Sequence, residues 1–129
     1  MSKQTKQTKR TMKKVLAALA AFAGAQAVCA KALTVPQIQQ ATAQTTAYDC
    51  QDGKSVTVRY VNTKNGQSFA LLPVEGKKLL FVNVMSGSGA RYVADRYTWW
   101  TKGPEGTLSN GMADSGAPPM LAGCKARAR

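Results

Sequence analysis

From Ser55 onward the chain alternates and breaks at short intervals, and that rhythm excludes most folds before any single residue is weighed. In Ser55-Val56-Thr57-Val58-Arg59-Tyr60-Val61, the residues Val56, Val58 and Tyr60 share one face while Thr57 and Arg59 share the other, the period of a half-buried strand. Asp52-Gly53 precedes this run and Lys64-Asn65-Gly66 follows it, and Asn-Gly is among the strongest hairpin signals. Phe69-Ala70-Leu71-Leu72 reads as a second strand, closed by Pro73 and the Glu75-Gly76 turn, and residues 78–84 as a third. Shorter strands are expected around residues 90–93, 97–102, 107–109 and 121–125. Seven or eight short strands at this spacing, with no helix-period stretch among them, predict an all-β domain. An antiparallel barrel or sandwich is the expected architecture.

The N-terminus follows different rules. Lys3, Lys6, Lys9, Arg10, Lys13 and Lys14 form a basic region without an acidic residue, followed by the apolar run of residues 15–23 and then small residues. These are the three parts of a secretory signal, and the apolar run is shorter than the roughly 20 residues of a membrane span. Residues 1–30 are therefore expected to be a signal peptide, cleaved after Ala27 or Ala30, with Met12 a second candidate start. Gln26 and Val28 stand where lipoprotein processing at Cys29 would want Leu and a small residue, so a soluble periplasmic product is favoured. Lipidation of Cys29, the one route by which membrane attachment is expected, is the alternative. Residues 31–46, rich in Ala, Gln and Thr, read as a tether or a short helix after Pro36, leading into a domain at 47–129.

Cleavage redistributes both charge and cysteine. The full chain carries 18 basic and 6 acidic residues, net +12. Six of the basic residues belong to the leader, which leaves the remainder at +6. That surplus is scattered and lacks interleaved aromatics, so nucleic-acid binding is not expected. With Cys29 removed, Cys50 and Cys124 are left to pair in an oxidising compartment. Closing so long a loop stabilises a fold by about 4 kcal/mol in the chain-entropy account.

The absence of histidine excludes Ser-His-Asp and Cys-His catalysis and the usual His-based metal site. The carboxylates Asp49, Asp52, Glu75, Asp95, Glu105 and Asp114 fall mostly in expected turns. Neither enzyme activity, a metal nor a cofactor is expected. Two segments stand out instead: the loop Met85-Ser86-Gly87-Ser88-Gly89-Ala90-Arg91-Tyr92 and the aromatic strand Tyr97-Thr98-Trp99-Trp100-Thr101-Lys102-Gly103. Gly87 and Gly89 permit positive φ and close approach of the backbone, holding out Ser88 as a small donor and acceptor.

Tyr48-Asp49-Cys50 with Asp52-Gly53, the Ser86–Tyr92 loop, Trp99-Trp100-Thr101-Lys102-Gly103, Leu108 and Cys124-Lys125 occur in an order that resembles the MliC/PliC family. These are the membrane-bound and periplasmic inhibitors of c-type lysozyme, and the resemblance covers roughly residues 47–126. It implies an eight-stranded antiparallel β-barrel with one disulfide, and c-type lysozyme as the partner. It further implies that the loop and Lys102 enter the lysozyme cleft, with Ser88 and Lys102 as the principal contacts, Gly87 and Gly89 shaping the loop, and Tyr92 and Thr101 in support. Trp99 and Trp100 are expected to pack the barrel. Pro104 and Gly106 depart from the family pattern, so a turn of different shape is expected after Lys102. Charge alone supports an alternative reading: a basic cell-envelope barrel that binds polyanions or has a structural role.

Overall fold

Eight strands form in chain order: β1 (Gln40–Asp49), β2 (Ser55–Thr63), β3 (Ser68–Val74), β4 (Lys77–Val84), β5 (Ala90–Ala94), β6 (Tyr97–Lys102), β7 (Glu105–Asn110) and β8 (Leu121–Ala126). The computed structural model describes residues 31–128; the expected signal peptide, with Cys29, lies outside the described residues. Each strand pairs antiparallel with the next, and β1 pairs with β8 to close the barrel. Eight strands enclose an interior just wide enough for side chains to fill. Here Val58, Ala70, Leu72, Phe81, Trp99, Leu108 and Cys124 fill it.

The strands expected from alternation all appear, and one further strand does. Residues 40–46, read from sequence as tether or short helix, form the outer part of β1. Their side chains are mostly exposed, so no apolar alternation marks them. What orders them is backbone pairing with β2 along nearly its full length, from Asp49↔Ser55 to Gln40↔Thr63. Pro36 starts a turn instead of a helix: the Ile38 amide donates to the Val35 carbonyl at 2.9 Å, with Pro at the position where its fixed φ suits a turn. At Asn65-Gly66 the hairpin is present, but through residues 64–67 and not a two-residue turn. Thr63 Oγ donates to the Gln67 carbonyl and contacts Asn65 Oδ1, while Gly66 alone takes positive φ.

An aromatic group organises the interior. Trp99 Nε1 donates to Tyr60 OH at 2.8 Å, and the Tyr48 and Tyr60 hydroxyls share a hydrogen bond at 2.8 Å. Tyr48 meets Trp99 edge-on, with ring centroids 5.2 Å apart, and Tyr92 lies 5.6 Å from Tyr60, both separations favourable for aromatic pairs. Burial, reinforced by the Tyr48 hydroxyl, pushes the Tyr60 phenol well above its ordinary range, so it stays neutral. The Trp99 ring lies over Gly106, where an added Cβ would stand 2.5 Å from it. Glycine at that position is what admits the large ring.

Cys50 and Cys124 form a disulfide, S–S 2.07 Å, across 74 positions of sequence. It joins the chain at the β1/β8 seam, which has only two register pairs, Tyr48↔Ala126 and Asp49↔Lys125. Arg127 adds a bidentate contact there, its Nε and Nη2 donating to the two Asp49 carboxylate oxygens at 2.8 and 2.6 Å.

Candidate functional site

Strict antiparallel succession places the β2–β3, β4–β5 and β6–β7 connections at one rim of the barrel. The two segments singled out in the sequence therefore meet. The β4–β5 loop spans residues 85–89, and its base is fastened by Asn83 Nδ2, which donates to the Arg91 carbonyl at 3.2 Å. Beside it β6 ends at Lys102 and turns through Gly103-Pro104 into β7. Gly103 has φ +56 and the proline ring holds φ negative. Of the two primed hairpin turns only type II′ accommodates that order. The departure at Pro104 thus specifies a tight turn, further held by the Ala126 amide donating to the Pro104 carbonyl at 2.7 Å.

Gly89 is the joint between loop and strand. Its φ is +65, and a Cβ there would overlap the Thr101 carbonyl oxygen and stand 3.2 Å from Lys102 Cβ. Only glycine allows this approach, which sets Ser88 next to the end of β6. Gly87 differs from expectation: its φ is not positive, and open space surrounds it. The sequence pattern Gly-Ser-Gly does not distinguish the two; the contact with β6 does.

The Ser88 carbonyl accepts from two side chains, Ser86 Oγ at 2.7 Å and Trp100 Nε1 at 3.0 Å. Its hydroxyl is exposed and takes no partner among the described residues. Backbone restrained, hydroxyl free: the arrangement presents Ser88 at low entropic cost to a partner. Lys102 is exposed as well, and its ammonium forms no ion pair among the described residues, although Glu105 stands directly across the turn in register.

The remaining expected site residues divide by face. Tyr92, 8% exposed, points into the barrel against Tyr60, and burial pushes its phenol upward. Thr101 is half-buried and contributes its carbonyl to the close approach of Gly89. Trp99 packs the core as expected, but Trp100 does not. It projects to the outer face and clamps the loop through Ser88. Adjacent strand residues point to opposite faces, and that parity is the signal that separates the two tryptophans.

A family model described as the membrane-bound lysozyme-inhibitor of c-type lysozyme matches residues 48–116. A membrane-bound lysozyme inhibitor of C-type lysozyme from Cupriavidus necator is 42% identical over 105 residues, spanning 81% of this chain and 83% of that relative. Its counterpart from Pseudomonas aeruginosa is 41% identical over 96 residues, 74% of each. Among solved structures, Pseudomonas aeruginosa MliC in complex with hen egg white lysozyme superposes with a TM-score of 0.60 at 36% identity, covering 75% of this chain and 95% of that one. PliC-St, the periplasmic lysozyme inhibitor of C-type lysozyme from Salmonella typhimurium, gives 0.59 at 26% identity, covering 67% and 100%.

Proposed function

This chain belongs to the family of membrane-bound inhibitors of c-type lysozyme, and from that premise we propose that it inhibits a c-type lysozyme by placing the β4–β5 loop and Lys102 in the enzyme's active-site cleft. The observation that carries this reading is the pairing, on one rim, of a free Ser88 hydroxyl on a clamped backbone with a free Lys102 ammonium. Glycosidases of this kind work with two carboxyl groups, one protonated as general acid and one ionised. A hydroxyl satisfies both, accepting from the acid and donating to the carboxylate. The ammonium supplies positive charge where the enzyme stabilises a developing cation, and its hydrogen bond to an ionised carboxylate is of the stronger, charge-assisted kind. The inhibitor itself carries out no reaction.

The family and the relatives bear membrane-bound and periplasmic names, which supports action in the cell envelope, on the side where lysozyme reaches peptidoglycan. Purified residues 31–129 are expected to stop a c-type lysozyme from clearing cell walls. Ser88→Ala and Lys102→Ala together should abolish the effect, each removing a charge-assisted contact that contributes about 1.5–3 kcal/mol. Full inhibition by the double variant would overturn the site; no inhibition by the unaltered protein would overturn the function for that lysozyme.

A further inference from the structure

The outer wall of the barrel across β2 to β5 is apolar and cationic at once. Because Ala70, Leu72 and Phe81 point inward, Phe69, Leu71, Leu80 and Val82 point outward. Register joins them into one block, Phe69 opposite Val82 and Leu71 opposite Leu80. Leu80 is 53% exposed and Val82 39%, and they lie on this same contiguous block. Contiguous exposed apolar surface of this sort marks a binding face.

Three cations flank the block from outward positions: Arg59 opposite Leu71, Lys78 opposite Pro73, and Arg91 opposite Val84. None has an ion-pair partner among the described residues. The four strands contain no aspartate or glutamate at all. The chain also enters the barrel along this wall. Leu33, Val35 and Ile38 line, with Phe69, Leu71 and Leu80, an open groove of about 370 Å³. Leu33 remains 94% exposed there, so the entering segment borders the groove without filling it.

Apolar side chains flanked by unpaired Lys and Arg, on strands without a carboxylate and with the turn residue Glu75 already paired to Arg96, match one surface in particular. At a bilayer interface the aliphatic groups enter the acyl boundary while long cationic side chains reach up to lipid phosphates. A soluble polyanion would leave Leu80 and Val82 without a role. We propose that this wall is a peripheral docking surface for an anionic phospholipid bilayer, with Phe69, Leu71, Leu80 and Val82 at the acyl boundary and Arg59, Lys78 and Arg91 at the phosphates. Docking uses residues other than Ser88 and Lys102, so it stands or falls separately from lysozyme inhibition.

Residues 31–129 contain every strand, the core and the disulfide and no acyl chain, which makes them the right sample. They should co-sediment with vesicles of phosphatidylglycerol and phosphatidylcholine, not with phosphatidylcholine alone, and bind less as salt is raised. Leu80→Ser with Val82→Ser, and Arg59→Ala with Lys78→Ala, should each lower partitioning at least tenfold, while lysozyme inhibition and far-UV circular dichroism stay unchanged. Failure of the unaltered protein to bind anionic vesicles, or equal binding by both double variants, overturns the proposal. So does a dimer in sedimentation velocity that Leu80→Ser dissociates in a protein with no lipid binding, since the wall would then belong to a second copy.

Discussion

At the scale of residues, the site depends on two kinds of freedom that the chain grants unequally. Gly89 needs positive φ and the space that a Cβ would take from the Thr101 carbonyl. Gly89→Ala therefore combines a left-handed backbone penalty of about 1–2 kcal/mol with displacement of the loop from β6. Its inhibition constant toward c-type lysozyme is expected to rise at least tenfold, whereas Gly87→Ala should stay close to the unaltered protein. Ser88 and Lys102 stand out in the sequence because their neighbours are unusual in order and spacing, and the fold brings their two segments to one rim. Trp100 does not: two adjacent tryptophans look alike until strand parity sends one inward and the other against the loop. The same limit applies to Gly106, whose requirement arises from a ring that reaches it from the neighbouring strand.

At the scale of elements, β2 through β8 follow from alternation and turn residues, and β1 does not. Its outer part has no apolar face; its order comes from a partner strand, which a local reading of the chain does not contain. The closing seam with β8 likewise depends on a long-range contact, the Asp49–Arg127 pair. Hydrogen bonding from Arg127 holds the Asp49 carboxyl below its ordinary value of 3.8. A carboxyl whose folded pKa is depressed contributes stability above its unfolded pKa and loses it as pH falls through the folded value. The seam should thus weaken on acidification from about pH 4 downward. Thermal unfolding midpoints measured between about pH 6 and 2 should converge for the unaltered protein and Arg127→Ala at the acid end, with the variant lower at neutral pH by a small margin, because the pair is exposed. A constant gap at all pH values would contradict this origin.

At the scale of the whole molecule, seven of the eight seams in the barrel link strands that are consecutive in the chain; one links its two ends. That last seam has two register pairs, and the disulfide lies beside it. Cys124→Ala with Cys50→Ala should lower stability by roughly 4 kcal/mol in denaturant titration, a large part of what a domain of this size possesses. Reductant should produce the same loss in the unaltered protein and none in the variant. The consequence reaches beyond stability. Under reducing conditions the two thiols stay apart, and a barrel fastened at its weakest join by this covalent clasp is left unlatched. The bond that completes the fold thereby also makes the barrel a reader of redox conditions, latched where disulfides persist and loosened where they do not.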